Sequence, residues 1–463
     1  MPHRWKVHLT VSTAVFVAAL DLFIVNVAFP DLARDFAGAS LGDLSWVLNA
    51  YTIVFAALLV PAGRLADRTG RKRAFLAGLA LFGAGSMLCA AAPTVETLVA
   101  ARVVQAAGAA VLLPTSLGLM LPEFPPAQRP VAIAAWATVS GVAAAAGPPL
   151  GGLLVDIGWR WIFVVNLPVV LVALAVGGRL LRESRDAAQA RPDWAGTLLL
   201  IAGVGGVAFA LVRSEAWGLG DGRTLATLAA AAGVLALFAD RSRRHPAPVV
   251  DPELLRISPL AAANAATLLF FVPFAAMLVG TVWLATAVWG ESVLHAGLML
   301  APGPLMATLL SLPGSRLAAR HGPAAVAALG ALLFAAGFGW WLLFVEATPS
   351  YAGGLLPGLV IGGGGVGLAL PTLAAAATAA LPPGRFATGA GIHQMSRQLG
   401  TVLGVALFVA VLGAPAAADR LAAIEGTWVL MGALSLVAGA AALAVGRAAP
   451  EAAPAVAVAG TEA

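Results

Sequence analysis

Apolar runs of about 18 to 28 residues follow one another from near residue 8 to near residue 446, and nothing else limits the fold of this chain so sharply. A helix rises about 1.5 Å per residue, so about 20 apolar residues cross the hydrocarbon core of a bilayer. The 463 residues are 60% hydrophobic, with a mean hydropathy of +0.92, which is more apolar surface than a water-soluble core can use. The runs predict an all-α membrane protein with about fourteen spans: 8–30, 45–63, 74–92, 95–121, 131–155, 162–180, 194–212, 223–239, 258–285, 293–314, 323–345, 352–376, 386–413 and 427–446. The first run is long, lacks a convincing cleavage site and keeps Asp21 inside it, so it is expected to be an uncleaved first helix.

Charge orients these spans. With the N-terminus inside, twenty of the 27 Lys and Arg fall on the cytoplasmic side. Five fall outside (Arg34, Arg160, Arg213, Arg223, Arg420) and two within helices (Arg102, Arg397). That asymmetry follows the positive-inside rule, so both termini are expected in the cytoplasm and the chain in the cell inner membrane. The net charge of +5 is not gathered on a soluble face, which argues against a nucleic-acid partner. The single Cys89 excludes an intrachain disulfide or a cysteine-based metal cluster.

The chain repeats itself. "PAGRLADRTG" at 61–70 aligns without gaps on "PGSRLAARHG" at 313–322, and "VLLPTSL" at 111–117 echoes "LALPTLA" at 368–374 at nearly the same offset. Two parallel halves with binding at their interface are a transporter architecture. The offset is too long for six helices and suits eight, so residues 1–190 are expected as one six-helix bundle and 246–447 as a second. Two helices are inserted at 191–245, and a disordered tail is expected over 448–463.

Six segments resemble signatures of the major facilitator superfamily, in its fourteen-helix drug:proton antiporter branch. They are "LDLFIVNVAFP" (20–30), "GRLADRTGRKR" (63–73), "ARVVQAAGAA" (101–110), "GVAAAAGPPLGG" (141–152), "WRWIFVVNLP" (159–168) and "SRQLG" (396–400). The resemblance covers nearly the whole length and implies the major facilitator fold, two six-helix bundles plus two inserted helices. It also implies alternating-access export of drugs or antibiotics against protons.

In the 63–73 segment Asp67 is placed at a short turn, where a carboxylate can accept bonds from helix N-terminal amides or a guanidinium. Gly63 and Gly70 permit a tight backbone, and Arg68 and Arg71, with Arg64, Lys72 and Arg73, are expected to anchor the cytoplasmic face. The resemblance implies that this latch ties the two halves together on the inner side. In helix 5, Gly141, Gly147, Pro148, Gly151 and Gly152 make small-residue faces where a helix can approach closely, with Gly400 and Gly404 in the matching place on helix 13.

Asp21 is the one carboxylate expected well inside a span, and an ionised group there costs several kcal/mol, so it reads as functional or paired. Its depth, about 13 Å from Pro30, matches that of Arg102, about 12 Å from Thr94, at 1.5 Å per residue. An acid beside a movable cation can bind and release a proton, so Asp21 and Arg102 are the expected coupling pair. Arg397 is expected to order helix 13 through backbone or Gln398. Asn26, Trp46, Asn49, Tyr51, Gln105, Asn264, Trp283, His393 and Gln394 are candidates for a central cavity, about half of them facing it. Aromatics with a single acid suit lipophilic neutral or cationic substrates. Glycine-rich "IGGGGVG" (361–367) lies in an apolar helix with no preceding strand, and the chain has no GxxxxGK[ST] loop and no HExxH. A proton gradient, with no cofactor or metal, is therefore the expected drive. A small molecule, protons and the lipid bilayer are the expected partners of a monomer that is not an enzyme. Export of one self-made metabolite is the alternative within transport, and a membrane enzyme or sensor the remote one.

Overall fold

Several helix boundaries of this chain are set by local chemistry. The computed structural model describes residues 1–125, 128–185, 191–379, 381 and 386–447. Through them run fourteen helices long and apolar enough to cross a membrane. They are α1 (His3–Val27), α2 (Leu41–Thr69), α3 (Arg71–Ala90), α4 (Val95–Met120), α5 (Arg129–Ile157), α6 (Trp161–Leu180) and α7 (Trp194–Trp217). They continue with α8 (Gly222–Arg244), α9 (Ser258–Trp283), α10 (Val293–His321), α11 (Pro323–Phe344), α12 (Tyr351–Ala379), α13 (Phe386–Leu412) and α14 (Arg420–Arg447). No strand occurs among the described residues, and the expected tail lies outside them.

Polar caps start α2, α4, α7, α8 and α10. The Ser40 hydroxyl accepts from Asp43 N at 3.0 Å while Asp43 Oδ2 accepts from Ser40 N at 3.1 Å, a capping box that opens α2. Thr94 and Thr97 do the same for α4, and the Asp193 carboxylate accepts from Gly196 N at 2.9 Å at the start of α7. The sequence repeat reappears as geometry. Pro61 and Pro313 lie inside α2 and α10, Pro114 and Pro371 inside α4 and α12. Both copies of the repeated segment end on a glycine in the left-handed region, Gly70 at φ 123° and Gly322 at φ 86°.

The expected loop over 64–73 is therefore a correction: α2 continues to Thr69, only Gly70 breaks the helix, and α3 resumes at Arg71. Arginine and alanine are good helix formers, and a single positive-φ glycine is enough to turn the chain.

Helices α1–α6 pack as one group and α9–α14 as a second. Between them α2 lies along α13 and α5 against the first turns of α10. The inserted α7 packs on both α2 and α13, so it straddles the seam, while α8 rests on α7 with most of its surface exposed. An ion pair from Asp193 to Arg241 Nε at 2.7 Å closes the start of α7 on the end of α8. The near end of the bundle holds the N-terminus, and the far end lies opposite.

Candidate functional site

A fully buried charge is tolerated where a counter-charge and polar neighbours are aimed at it, and the first helix group provides such a place, although Arg102 Nη2, Tyr51 Oη and Asn166 Oδ1 stay without partners. Asp21 on α1 and Arg102 on α4, both 0% exposed, form an ion pair. Gln105, one turn on from Arg102, closes the triangle: its Oε1 accepts from Arg102 Nη1 at 2.7 Å and its Nε2 donates to Asp21 Oδ1 at 2.8 Å. Asn166 on α6 donates to the same oxygen at 3.3 Å. Ser86 on α3 accepts from both Gln105 (2.8 Å) and Asn166 (3.1 Å). On the other side Arg102 Nε donates to the Val47 carbonyl of α2 at 3.0 Å, and the guanidinium lies 3.9 Å from the centre of the Tyr51 ring. Five helices of one group thus meet on one ion pair.

This site rests on a close approach of α3 and α4. A Cβ on Gly85 would stand 2.6 Å from the Gln105 backbone, and one on Gly108 2.5 Å from Phe82 N. Larger residues would push Ser86 out of reach of Gln105. The depth match between Asp21 and Arg102 led to the pair; Ser86 and Asn166 were missed, since an isolated Ser or Asn in an apolar run carries no periodicity that marks it. Tyr51 and Gln105, expected in a cavity, sit inside this closed cluster at 1% and 0% exposure.

The other cavity candidates scatter, which corrects the expectation of one shared lining. Asn26 donates to Leu22 O of its own helix at 2.8 Å, and Trp46 packs 6.3 Å from Phe209 of the inserted α7. Asn49 is buried with neither amide atom partnered. Trp283 lines a far-end cavity of about 690 Å³ between the two groups, with Asp31, Arg34, Asp156, Glu291 and Arg420. Burial pushes Asp31 above the usual carboxylate range against the pull of Arg34. The Trp159 indole, donating at 2.7 Å, and then Arg160 hold nearby Asp35 below it. Hydropathy fixes depth along a helix and not rotation about it, so polar residues at similar depth face different neighbours.

Asn264, His393 and Gln394 do come together, on α9 and α13. Asn264 Oδ1 lies 3.1 Å from His393 Nδ1, and Gln394 Oε1 accepts from Arg397 Nη1 at 3.0 Å. Arg397 therefore bonds Gln394, not Gln398 as expected, because an i,i+3 neighbour on the same face is in reach and the adjacent residue points away. Its guanidinium lies 4.8 Å from the centre of the Phe271 ring.

The latch segment closes on its own group. Asp67 Oδ1 accepts from Arg71 Nε at 2.6 Å, and Arg71 Nη1 reaches the Gly118 carbonyl at 3.4 Å. A Cβ on Gly63 would meet Pro114 at 3.1 Å, and Gly70 sits against Glu183. Glu183 accepts from the backbone amides of Lys72 (3.0 Å) and Arg73 (3.2 Å), capping the start of α3. The carboxylate on helix N-terminal amides is thus Glu183, not Asp67. Among the described residues no bond from Asp67 crosses to the second group, and none is made by Arg68; Arg64 Nη1 reaches the Pro248 carbonyl ahead of α9 at 2.8 Å.

The small residues of α5 serve two helices. A Cβ on Gly147 or Gly151 would meet Phe23 or Ile24 of α1 at 2.7 or 3.0 Å. One on Gly152 would stand 2.5 Å from Leu294 Cα, and one on Gly297 2.4 Å from the Pro148 carbonyl. This second face joins the two groups. Gly141 has nothing within 4 Å and belongs to neither face, a correction to its expected packing role. Gly400 and Gly404 press on Leu268 and Val272 of α9 as Gly147 and Gly151 press on α1.

A family model of the Major Facilitator Superfamily matches residues 11–239. The chain is 35% identical over 402 residues to multidrug resistance protein Stp of Mycobacterium tuberculosis, across 86% of this chain and 74% of that one. It is 32% identical over 433 residues to the methylenomycin A resistance protein of Streptomyces coelicolor, across 92% and 90%. A solved bacterial homologue of the human drug peptide transporters PepT1 and PepT2 superimposes with a TM-score of 0.68 at 17% identity, covering 96% of this chain and 98% of that one. Identity at that level bears on the fold alone.

Proposed function

The chain belongs to the major facilitator superfamily, and from that premise we propose that it is a proton-coupled exporter of lipophilic, drug- or antibiotic-like compounds, with Asp21 as the proton-binding group. The enclosed Asp21–Arg102–Gln105 triangle carries this reading. Asp193 is as buried but caps the mouth of α7. Asp21 is, among the described residues, the carboxylate buried in the interior of a span.

Two protonation states each find partners here. Ionised, Asp21 accepts from Arg102, Gln105 and Asn166, which together offset its charge. Protonated, it no longer balances the guanidinium, which keeps Gln105 Oε1, the Val47 carbonyl and the Tyr51 face. Proton binding therefore loosens α1 from α4, and α1 is the helix on which Gly147 and Gly151 of α5 sit. Since α5 also touches α10 of the other group, a shift of α1 reaches the seam. The charge asymmetry of the loops supports an inner-membrane location with both termini cytoplasmic, and no step of this cycle requires a second copy of the chain.

The relative named for methylenomycin A resistance favours a second reading, export of one antibiotic made by the same cell. A substrate panel in an efflux-deficient host separates the two: broad resistance supports the first, resistance to one chemotype the second.

Asp21→Asn keeps size and hydrogen bonding but cannot ionise. In liposomes with an imposed pH gradient the variant is expected to show neither uphill substrate movement nor substrate-dependent proton flux, while downhill exchange survives. Uphill movement at the wild-type rate would move the coupling role elsewhere, His393 being next to examine.

A further inference from the structure

Arg397 is a membrane-embedded cation with no acid beside it. Its Nη1 donates to Gln394 and its face lies over Phe271, but its Nε is buried without a partner. No ion pair found among the described residues includes it. On the facing α9 two more buried polar atoms stand unpaired: Asn264 Nδ2 and Thr267 Oγ1, on residues 5% and 1% exposed. Asn264, Thr267 and Phe271 follow one face of α9 at helical spacing, and His393 and Arg397 lie one turn apart on the facing α13. Gly400 brings the helices together, since a Cβ there would stand 2.3 Å from the Leu268 carbonyl. On its other side α13 borders α2 across the seam, Gly391 meeting Val60.

The polar surplus here is one of donors: a full positive charge, an amide nitrogen and a hydroxyl that can donate. Leaving a partly buried guanidinium with its Nε unpaired beside two more unsatisfied polar atoms is costly. A planar anion with several oxygens answers all of them, because the Nε and Nη edge of Arg matches two acceptors side by side. The carboxylate of Asp21 is already committed to Arg102, Gln105 and Asn166 within a closed cluster, so it offers no free charge to a cationic substrate. The charges at the far-end cavity are taken up locally, Arg34 by Asp31 and Arg420 by the Ala287 carbonyl.

We infer that Arg397, with Asn264 and Thr267, binds the anionic, oxygen-rich end of the exported compound, an aromatic carboxylate or enolate whose ring lies along Phe271. This rests on the export reading and replaces the neutral or cationic substrate class expected from sequence.

Two dyes on one xanthene scaffold test it: fluorescein, which carries a carboxylate and a phenolate, and tetramethylrhodamine ethyl ester, which is cationic. Binding to the purified full-length protein is read by fluorescence anisotropy, independently of transport. Wild type is expected to bind fluorescein more tightly than the rhodamine ester. Arg397→Gln is expected to lower the fluorescein-to-rhodamine affinity ratio ~10- to 100-fold, the range for a hydrogen bond to a charged group. Arg397→Lys, which keeps the charge without the planar fork, is expected to fall between. Thr267→Val, shape-conserving and uncharged, is expected to lower the ratio about threefold and keeps the test alive if Arg397→Gln does not fold. An unchanged ratio in folded variants, or preference of wild type for the cation, overturns the assignment. In liposomes, binding of fluorescein without its transport under a pH gradient would sink the export reading and leave the site standing.

Discussion

The two arginines within the spans of this bundle, Arg102 fully buried and Arg397 half-buried, sit in opposite electrical settings. Arg102, in the first group, has a carboxylate, an amide oxygen, a backbone carbonyl and a tyrosine face. Arg397, in the second, has one amide oxygen and a phenylalanine face. The duplication does not carry the first arrangement into the second copy: offsets of 252 to 257 bring Asp21 onto "PFAAML" (273–278) and Arg102 onto "GLLPGL" (354–359). The contrast teaches that one half holds a self-contained ion pair and the other a positive charge without a carboxylate partner; on the reading proposed above, the first takes the proton and the second the ligand.

The largest effect is expected from removing one arginine from each setting. Arg102→Leu leaves Asp21 buried with no cation, and breaking a buried pair costs about 3–5 kcal/mol. Arg397→Leu removes a charge that no protein carboxylate needs, and is expected to cost under about 1 kcal/mol or to stabilise. Apparent melting temperatures in detergent compare the two; equal losses would mean that Arg397 has a structural counter-charge and would erase the contrast.

A smaller effect sharpens the contact between the halves. Gly152→Leu forces a side chain into Leu294 of the other group, overpacking that costs about 1–3 kcal/mol, and transport is expected to fall strongly. Gly141→Leu enters open space and should stay within ~0.5 kcal/mol of wild type with transport retained. Parallel transport assays decide; similar losses would put Gly141 at an interface that forms elsewhere in the cycle.

Smallest is Asp67→Ala, which makes the first copy read as the second, where Ala319 stands. Asp67 and Arg71 are an i,i+4 pair with side chains 31% and 26% exposed, worth about 0.3–0.5 kcal/mol. Stability should hardly move, whereas label distances between the near ends of the two groups should lengthen if Asp67 engages the second group in another state. An unchanged distance distribution would leave Asp67 a surface charge.

The spans were legible because length and hydropathy report crossing, and the duplication because Pro61, Gly70, Pro313 and Gly322 occupy geometrically special positions. Asp21 and Arg102 were legible because charge is rare at their depth. What escaped depends on rotation about a helix axis: Ser86 and Asn166 joining the ion pair, Trp46 turning to α7, Gln394 and not Gln398 meeting Arg397. Glu183 escaped for another reason, since its role comes from a contact more than a hundred residues away in sequence.

The inserted helix α7 bears on α2 and α13 at once. A duplicated bundle without it would have two equivalent edges along its seam, α2 with α13 and α5 with α10, and no reason to part at one before the other. With α7 lying across the first edge, separation there must break a third set of contacts, including the Trp46–Phe209 packing and the Asp43–Arg213 pair. The second edge carries close glycine-to-backbone contacts, Gly152 on Leu294 and Gly297 on Pro148, beside ordinary apolar packing. The fold is therefore bound like a book, with α7 as a strip along the spine and the α5–α10 side as its fore-edge.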